Sequence, residues 1–382
     1  MSGPPVQSFS NPVRVEFGGN ALAGLPRAVG TRTCILITSA GMAGRGGLGP
    51  IEAVLGTRTA TFTDVLPNPT IASCTKAFEA LEGVEAELLV ALGGGSVIDT
   101  AKALAAQQAQ PPGSGWLAGH LRNGLPFPEP FVPPAIIAIP TTAGTGSEVT
   151  MWATIWDDVS ATKRSISHPL LYPEAALLDP TLTHTVPRAT TVPTAFDALS
   201  HAMEAIWNRA ANPVSDAVAM RAIHLIPRAL PRVLKAPDDA ASREALMSAA
   251  LLAGLAISST RTALAHSISY PLTAERGLPH GIACSLTLPE LLRSVDRERP
   301  DRSRLIVEAM ASESAEAAAQ ELTELFAIAG TGEMLRRHVP STATLREIQG
   351  GYIAPGRAEN FVLDVDQAWA AELLERAYSA TR

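Results

Sequence analysis

The sequence predicts an α/β N-terminal domain at residues 1–183, followed by an all-α C-terminal domain at 184–382. Three observations lead there. The first half alternates short apolar runs with helical stretches, the pattern of strands and helices in turn. After about residue 184 strand-like runs become rare, while Ala, Leu and Glu or Arg recur at helical spacing. The chain, at 382 residues, is also too long for one comfortable core.

Cys34–Thr38 is rich in β-branched residues and stops at Ser39-Ala40-Gly41. Leu88–Leu92 runs into three glycines, and Ala135–Ile139 runs into Pro140. All three runs are apolar on both faces, as strands in a covered parallel sheet are. Helices are predicted between them at 73–82 and 97–107. Residues 109–134 are rich in Pro and Gly and predict a surface excursion. The domain boundary falls near Thr183–Pro187, and helices follow at 194–208, 214–231, 242–258 and 313–328.

Composition excludes some functions. With 46% hydrophobic and 18% charged residues the chain has an ordinary soluble make-up. Its net charge of −7, with no basic stripe, argues against nucleic acid as a partner but not against a small anionic substrate. Cys34, Cys74 and Cys284 have neither CxxC nor zinc-ribbon spacing, which fits a reducing compartment and carries no catalytic signal. The start, MSGPPVQSFS, lacks a basic region and an apolar core, and no uncharged apolar run approaches membrane-spanning length. A cytoplasmic enzyme without a membrane partner is the expectation.

Two loops carry a phosphate signal. Gly93-Gly94-Gly95-Ser96 follows a strand and precedes the helix beginning at Val97, so backbone can approach a pyrophosphate and meet it with free N–H groups. A bare glycine triplet also makes a ligand-free turn. A second loop, Pro140–Glu148, follows another strand, and two such loops at neighbouring carboxyl ends make one crevice for a dinucleotide. The first strand ends in Ser39, with Arg45 beyond it, instead of the acid that would repel a 2′-phosphate; NADPH is therefore expected to be accepted. Ser39 equally reads as a passive turn residue.

Asp197 and His201 are four apart in a predicted helix, on one face and within reach of one ion. His266 and His280 lie in segments with few charges. Singly, each reads as a helix ion pair or a satisfied core histidine; together they form a candidate metal site in the C-terminal domain. The remaining histidines, His120, His168, His184, His224 and His338, are not assigned to it. Three imidazoles and a carboxylate suit Fe(II), Zn(II), Co(II) or Mn(II). Such an ion polarises a carbonyl, and hydride transfer then needs no protein nucleophile.

Pro67-Asn68-Pro69-Thr70, Gly93–Lys102, Pro140–Glu148, Asp197…His201 and Pro279-His280-Gly281, in that order, resemble the iron-containing (group III) alcohol dehydrogenase family over almost the whole chain. The resemblance implies a dinucleotide-binding α/β domain, a helical domain for metal and substrate, and ligands at Asp197, His201, His266 and His280 for Fe(II) or Zn(II). It implies NADH or NADPH contacts at Ser39, Asn68, Gly94, Gly95, Ser96, Asp99, Thr141, Thr142 and Lys163. A small aldehyde or alcohol as substrate and a homodimer are the expected partners.

Three departures bear on the substrate. Tyr270 stands where the family usually has a second histidine, four residues after the third ligand; it either donates through its hydroxyl or packs. Trp152 replaces a small or amide residue and narrows the expected pocket. Ser258-Ser259-Thr260-Arg261-Thr262 replaces a glycine-rich stretch. With Asn11-Pro12-Val13, Trp152–Asp157, Ser167–Pro173 and His266–Thr273, these resemble the subgroup that reduces phosphonoacetaldehyde to 2-hydroxyethylphosphonate in phosphonate (antibiotic) biosynthesis. Arg261, five residues before a ligand, either clamps the phosphonate or caps a helix. A reductase of plain short-chain aldehydes, a cyclase/lyase of the dehydroquinate-synthase type and a cofactor-sensing role are the competing readings.

Overall fold

The strands β1 (Arg14–Phe17), β2 (Cys34–Ile37), β3 (Thr59–Phe62), β4 (Leu88–Gly93), β5 (Ala135–Pro140) and β8 (Ala175–Leu178) form one parallel sheet. Their order is β1-β8-β5-β4-β2-β3. Strands β6 (Trp152–Asp157) and β7 (Thr162–Ser167) make a separate antiparallel pair. The computed structural model describes residues 8–44, 48–111, 113–160 and 162–381. Its chain forms an α/β unit of Pro12–Thr142 and Ser147–Thr183, and a helical unit of His184–Arg382 with the short segments ending at Asn11 and at Ala143–Gly146.

The central strands are apolar throughout because both faces of the sheet are covered. Ile35, Ile37, Leu89, Ala91, Ile136 and Ala138 enter one core, and their alternates Cys34, Leu36, Leu88, Val90, Leu92, Ile137 and Ile139 enter another. This is the period-two alternation of a strand, with apolar residues in both phases. From β2 the chain moves outward to β3, and from β4 it moves the other way to β5. The strand order thus reverses between β2 and β4, and the carboxyl ends there are where an open α/β sheet takes a ligand.

Helices α1 (Ile71–Ala80) and α2 (Gly95–Gln108) follow the sequence expectation. Residues 109–134 require a correction. They contain helix α3 (Trp116–Asn123), whose Trp116, Leu117 and Leu121 are buried in the same core as α2. Left-handed glycines at both ends, Gly115 (φ 58) and Gly124 (φ 71), confine it to eight residues. The glycines that suggested a loop are its stops.

The helical unit includes α4 (Arg188–Ile206), α5 (Pro213–Lys235), α6 (Ala240–Thr260), α7 (Leu264–Arg276), α8 (His280–Ser285) and α9 (Ala315–Ala329). Asn212 caps α5 in a reciprocal capping box with Ser215. By length and composition α6 is apolar enough to cross a membrane, yet most of its apolar window is buried, the environment of a core helix.

Candidate metal centre and cofactor loops

Asp197 and His201 project from one face of α4, His266 from α7, and His280 opens α8. The Nε2 atoms of His201, His266 and His280 lie 3.6, 3.5 and 3.9 Å from one oxygen, Asp197 Oδ1. The rings of His201 and His266 stack at 4.7 Å, and His280 meets His266 edge-on at 5.3 Å. These gaps are too long for good hydrogen bonds. They suit donors on different sides of one ion, because metal–N and metal–O bonds of about 2.0–2.2 Å leave neighbouring donors about 3–4 Å apart. The residues therefore fit a divalent metal.

Two neighbours were not visible as site residues in the sequence. Glu204, on the same stripe of α4 at i+7 from Asp197, is fully buried. Its carboxylate accepts His266 Nδ1–H at 2.5 Å and the His266 backbone N–H at 3.2 Å. That holds a proton on Nδ1 and turns Nε2 toward Asp197. Burial alone would raise the Glu204 carboxyl, but the His266 charge outweighs it and holds it below its ordinary value. Conversely, burial pulls His266 down, and Glu204 with Asp197 overcomes this to hold it at about 9.

Cys284 corrects the reading that the cysteines carry no signal. It lies one turn after His280, fully buried, and its Sγ–H donates to Asp197 Oδ1 at 3.5 Å. Donor atoms of Asp197, His266, His280 and Cys284 all lie within 4.8 Å of one another. Burial pushes the thiol well above its usual value. Helix α8 can come this close because of Gly281, where a β-carbon would stand 1.8 Å from Pro193 O of α4.

In the α/β unit the two glycine-bearing loops run side by side. Residues Gly93 and Pro140 are partners across β4 and β5, and Thr141 N–H donates to Gly93 O at 3.0 Å. A β-carbon on Gly94 would lie 3.0 Å from Thr142 Oγ1, leaving backbone as the floor between them. Gly95 begins α2, and Ser96 Oγ accepts the N–H of Asn68, which sits in left-handed backbone at φ 54. Ser39 caps the single turn Ala40–Ala43 and bridges to Asp64. Arg45 lies outside the described residues.

Both oxygens of Asp99 are engaged, by the Ser147 hydroxyl at 2.6 Å and the Thr154 N–H at 2.9 Å. Lys102, fully buried, donates to Ser147 O, Ser147 Oγ, Thr150 Oγ1 and Trp152 O within 3.2 Å. Burial draws Lys102 down to about 8 and pushes buried Glu148 up to about 7. These three residues tie the second loop and β6 to α2. Lys163, opposite Trp156 on β7, interacts electrostatically with Asp99.

The residues assigned to substrate lie apart in the two units. Trp152 begins β6 in the α/β unit, half-buried. Arg261 caps the carboxyl end of α6, exposed, at φ 66 and ψ 176. Tyr270 lies one turn after His266 on α7, and its hydroxyl accepts from Arg357 Nε at 3.2 Å. Arg357 was not singled out in the sequence, since nothing local distinguishes it.

A family model described as iron-containing alcohol dehydrogenase matches residues 12–180, and one for the C-terminal part of the Fe-containing alcohol dehydrogenase family matches 191–338. The chain is 35% identical to the probable alcohol dehydrogenase EutG of Escherichia coli over 70% of its length and 72% of that protein. It is 40% identical to the phosphonoacetaldehyde reductase of Streptomyces viridochromogenes, over 56% of this chain and 54% of that one. Among solved structures it is similar to sulfoacetaldehyde reductase from Bifidobacterium kashiwanohense in complex with NAD+, with a TM-score of 0.87, 28% identity, and 98% and 100% of the two chains covered. The chain is a nicotinamide-dependent oxidoreductase and belongs to the iron-containing alcohol dehydrogenase family.

Proposed function

We propose that this oxidoreductase reduces phosphonoacetaldehyde to 2-hydroxyethylphosphonate, using NAD(P)H and one divalent ion, iron by family, held by Asp197, His201, His266 and His280. The observation that carries the substrate is Arg261. Its backbone occupies a region that is nearly glycine-only and costs about 1–3 kcal/mol elsewhere, five residues before His266, and its side chain has no ion pair among the described residues. The 40% identity to a phosphonoacetaldehyde reductase supports the same substrate. Relatives named as alcohol dehydrogenases support the plainer reading, reduction of uncharged short-chain aldehydes.

When bound, the ion supplies Lewis acidity at a carbonyl oxygen and the reduced nicotinamide supplies the hydride. The chain's own residues prepare for both. Glu204 holds a proton on His266 Nδ1, and the Cys284 thiol orients the Asp197 carboxylate. Gly94, Gly95 and Ser96, with Thr141 and Thr142, offer backbone and hydroxyls to a pyrophosphate. The Tyr270 hydroxyl, which accepts from Arg357 Nε, is assigned the proton that completes the alcohol. Trp152 is assigned to narrowing the substrate pocket.

Ser39 itself adds no charge at the end of β2, which supports acceptance of NADPH, while Asp64, bridged to Ser39, opposes it there. A homodimer is proposed, supported by β1, an edge strand with one neighbour in the sheet. Three free, buried cysteines support a reducing, cytoplasmic setting. The test is oxidation of NADPH and NADH by phosphonoacetaldehyde and by propanal, after reconstitution with Fe(II) or Zn(II). The reading requires a kcat/KM preference for the phosphonate; equal or better use of propanal overturns it.

A further inference from the structure

We propose that Arg357 and Arg261 together form a two-guanidinium site for a tetrahedral dianion, and that Arg357 is the specificity-determining residue the sequence concealed. The proposal rests on the phosphonate reading above and adds to it a second cation and a tether to the metal-bearing helix.

Packing brings the backbones of the two arginines together. Asn360 Nδ2 donates to Thr262 O at 2.8 Å and to Gly356 O at 3.4 Å, so one amide bridges the residue after Arg261 and the residue before Arg357. Asn208 reinforces the junction: its Nδ2 donates to Arg261 O at 3.2 Å, and its backbone bridges to Phe361. The Thr260 hydroxyl also donates to Arg261 O, at 3.0 Å. Arg261 is thus held by several bonds in a conformation its side chain disfavours, which is how strain persists at functional positions.

Charge makes the case for an anion. Neither Arg261 nor Arg357 has a carboxylate partner among the described residues. Their neighbours do: Arg209 pairs with Asp364, and Arg302 pairs with Asp216 through both nitrogens. With no carboxylate beside either guanidinium among the described residues, a dianion would have no competing counter-ion to displace. Planar forks of N–H donors match the oxygens of a phosphonate two at a time, which a lone ammonium does not do.

Position makes the case for a substrate. Arg357 Nε donates to the Tyr270 hydroxyl, and Tyr270 shares the face of α7 with His266, one turn away. Arg357 is therefore linked through Tyr270 to the helix that carries His266, within one unit of the chain. The Nε–H is committed to Tyr270 and one terminal nitrogen to Gly356 O at 2.8 Å. That anchoring fixes the plane of the fork before a ligand arrives.

The experiment compares the wild type, R261Q, R357Q and R357K as cofactor- and metal-loaded enzymes. Steady-state kinetics give the ratio of kcat/KM for phosphonoacetaldehyde to that for propanal, and thermal shift with ethylphosphonate reads binding without turnover. Each glutamine variant should lower the ratio about 10–100-fold, the loss of one charge-assisted contact. R357K, which keeps charge but not the fork, should fall between. The ethylphosphonate shift should vanish in R357Q. An unchanged ratio and an unchanged shift in R357Q and R357K overturn the proposal. Failure of the parent reading is distinguishable: a wild type with no preference for the phosphonate aldehyde removes the substrate, while loss of the ethylphosphonate shift in R357Q still upholds the anion site.

Discussion

Replacing Glu204 with glutamine tests its hold on His266. The carboxylate is fully buried and receives His266 twice, at Nδ1 and at the backbone N–H. Glutamine keeps the volume and an acceptor oxygen but gives up the charge. The bond to His266 then drops from the charge-assisted class, about 1.5–3 kcal/mol, to the neutral class, about 0.5–1.5 kcal/mol. The difference, ~1–1.5 kcal/mol, is about tenfold in affinity. Loss of orientation of a ligating imidazole commonly costs about 10–100-fold, so E204Q should weaken metal binding within that range. The assay is competitive titration of Zn(II) or Co(II) against a chromophoric chelator, with urea unfolding of the metal-free protein beside it. The two bonds fall on different carboxylate oxygens, so glutamine accepts one and turns its NH2 toward the other N–H donor; the metal-free midpoint should fall as well. A Kd within twofold of wild type, measured on metal-free protein that the urea curve shows to be folded, refutes the orienting role.

Cys284 donates to Asp197 in the structure, so the Co(II)-loaded protein should lack a thiolate-to-cobalt charge-transfer band in the near ultraviolet; such a band, abolished by C284S, would make the thiol a ligand instead. Asp64 bridges to Ser39 at the edge where an adenosine ribose would lie, so D64N should shift the NADPH:NADH ratio of kcat/KM upward about fivefold, one near-surface charge repulsion of ~1 kcal/mol. No change would return Asp64 to the role of a turn residue. Lys102 has a folded value of about 8 against an ordinary 10.5. Between those pH values the unfolded chain binds the extra proton, so this group makes stability rise with pH there, by up to about 1.4 kcal/mol per unit, and contributes no slope below pH 8. Denaturant midpoints of the wild type minus those of K102M should climb from pH 8 to 10; a flat difference rejects the buried ammonium.

Much of this was legible because the chemistry is local. The runs at Leu88–Leu92 and Ala135–Ile139 announce buried strands by being apolar in both phases, and Asp197 and His201 announce a shared face by being four apart. Strands β1 and β3 escaped notice because they are short edge strands with mixed exposure, and a four-residue edge carries little periodicity. Helix α3 was hidden by the glycines that end it. Glu204 shares a helix with two candidate ligands, yet its value to the site depends on His266, 62 positions away. Arg357 is further still from any local cue: it matters because Asn360 and Tyr270 bring it to residues 87 or more positions earlier. Pairings set by tertiary packing leave no spacing to read.

The uneven cover of the four candidate ligands has a kinetic consequence. The side chains of Asp197, His201 and His266 are at most 7% exposed, whereas that of His280 is 25% exposed. His280 also belongs to the shortest of the three helices involved, six residues whose first turn is pressed against Pro193 through Gly281. The most exposed side of this centre, its door, is at His280, and the latch there is a single helical turn. Residence time of the metal should then follow the opening of that turn rather than the summed strength of four bonds. G281A, which wedges a methyl into the latch, should speed metal loss to a chelator far more than it changes the unfolding midpoint of the metal-free protein. Loss rates that track that midpoint would place the door elsewhere.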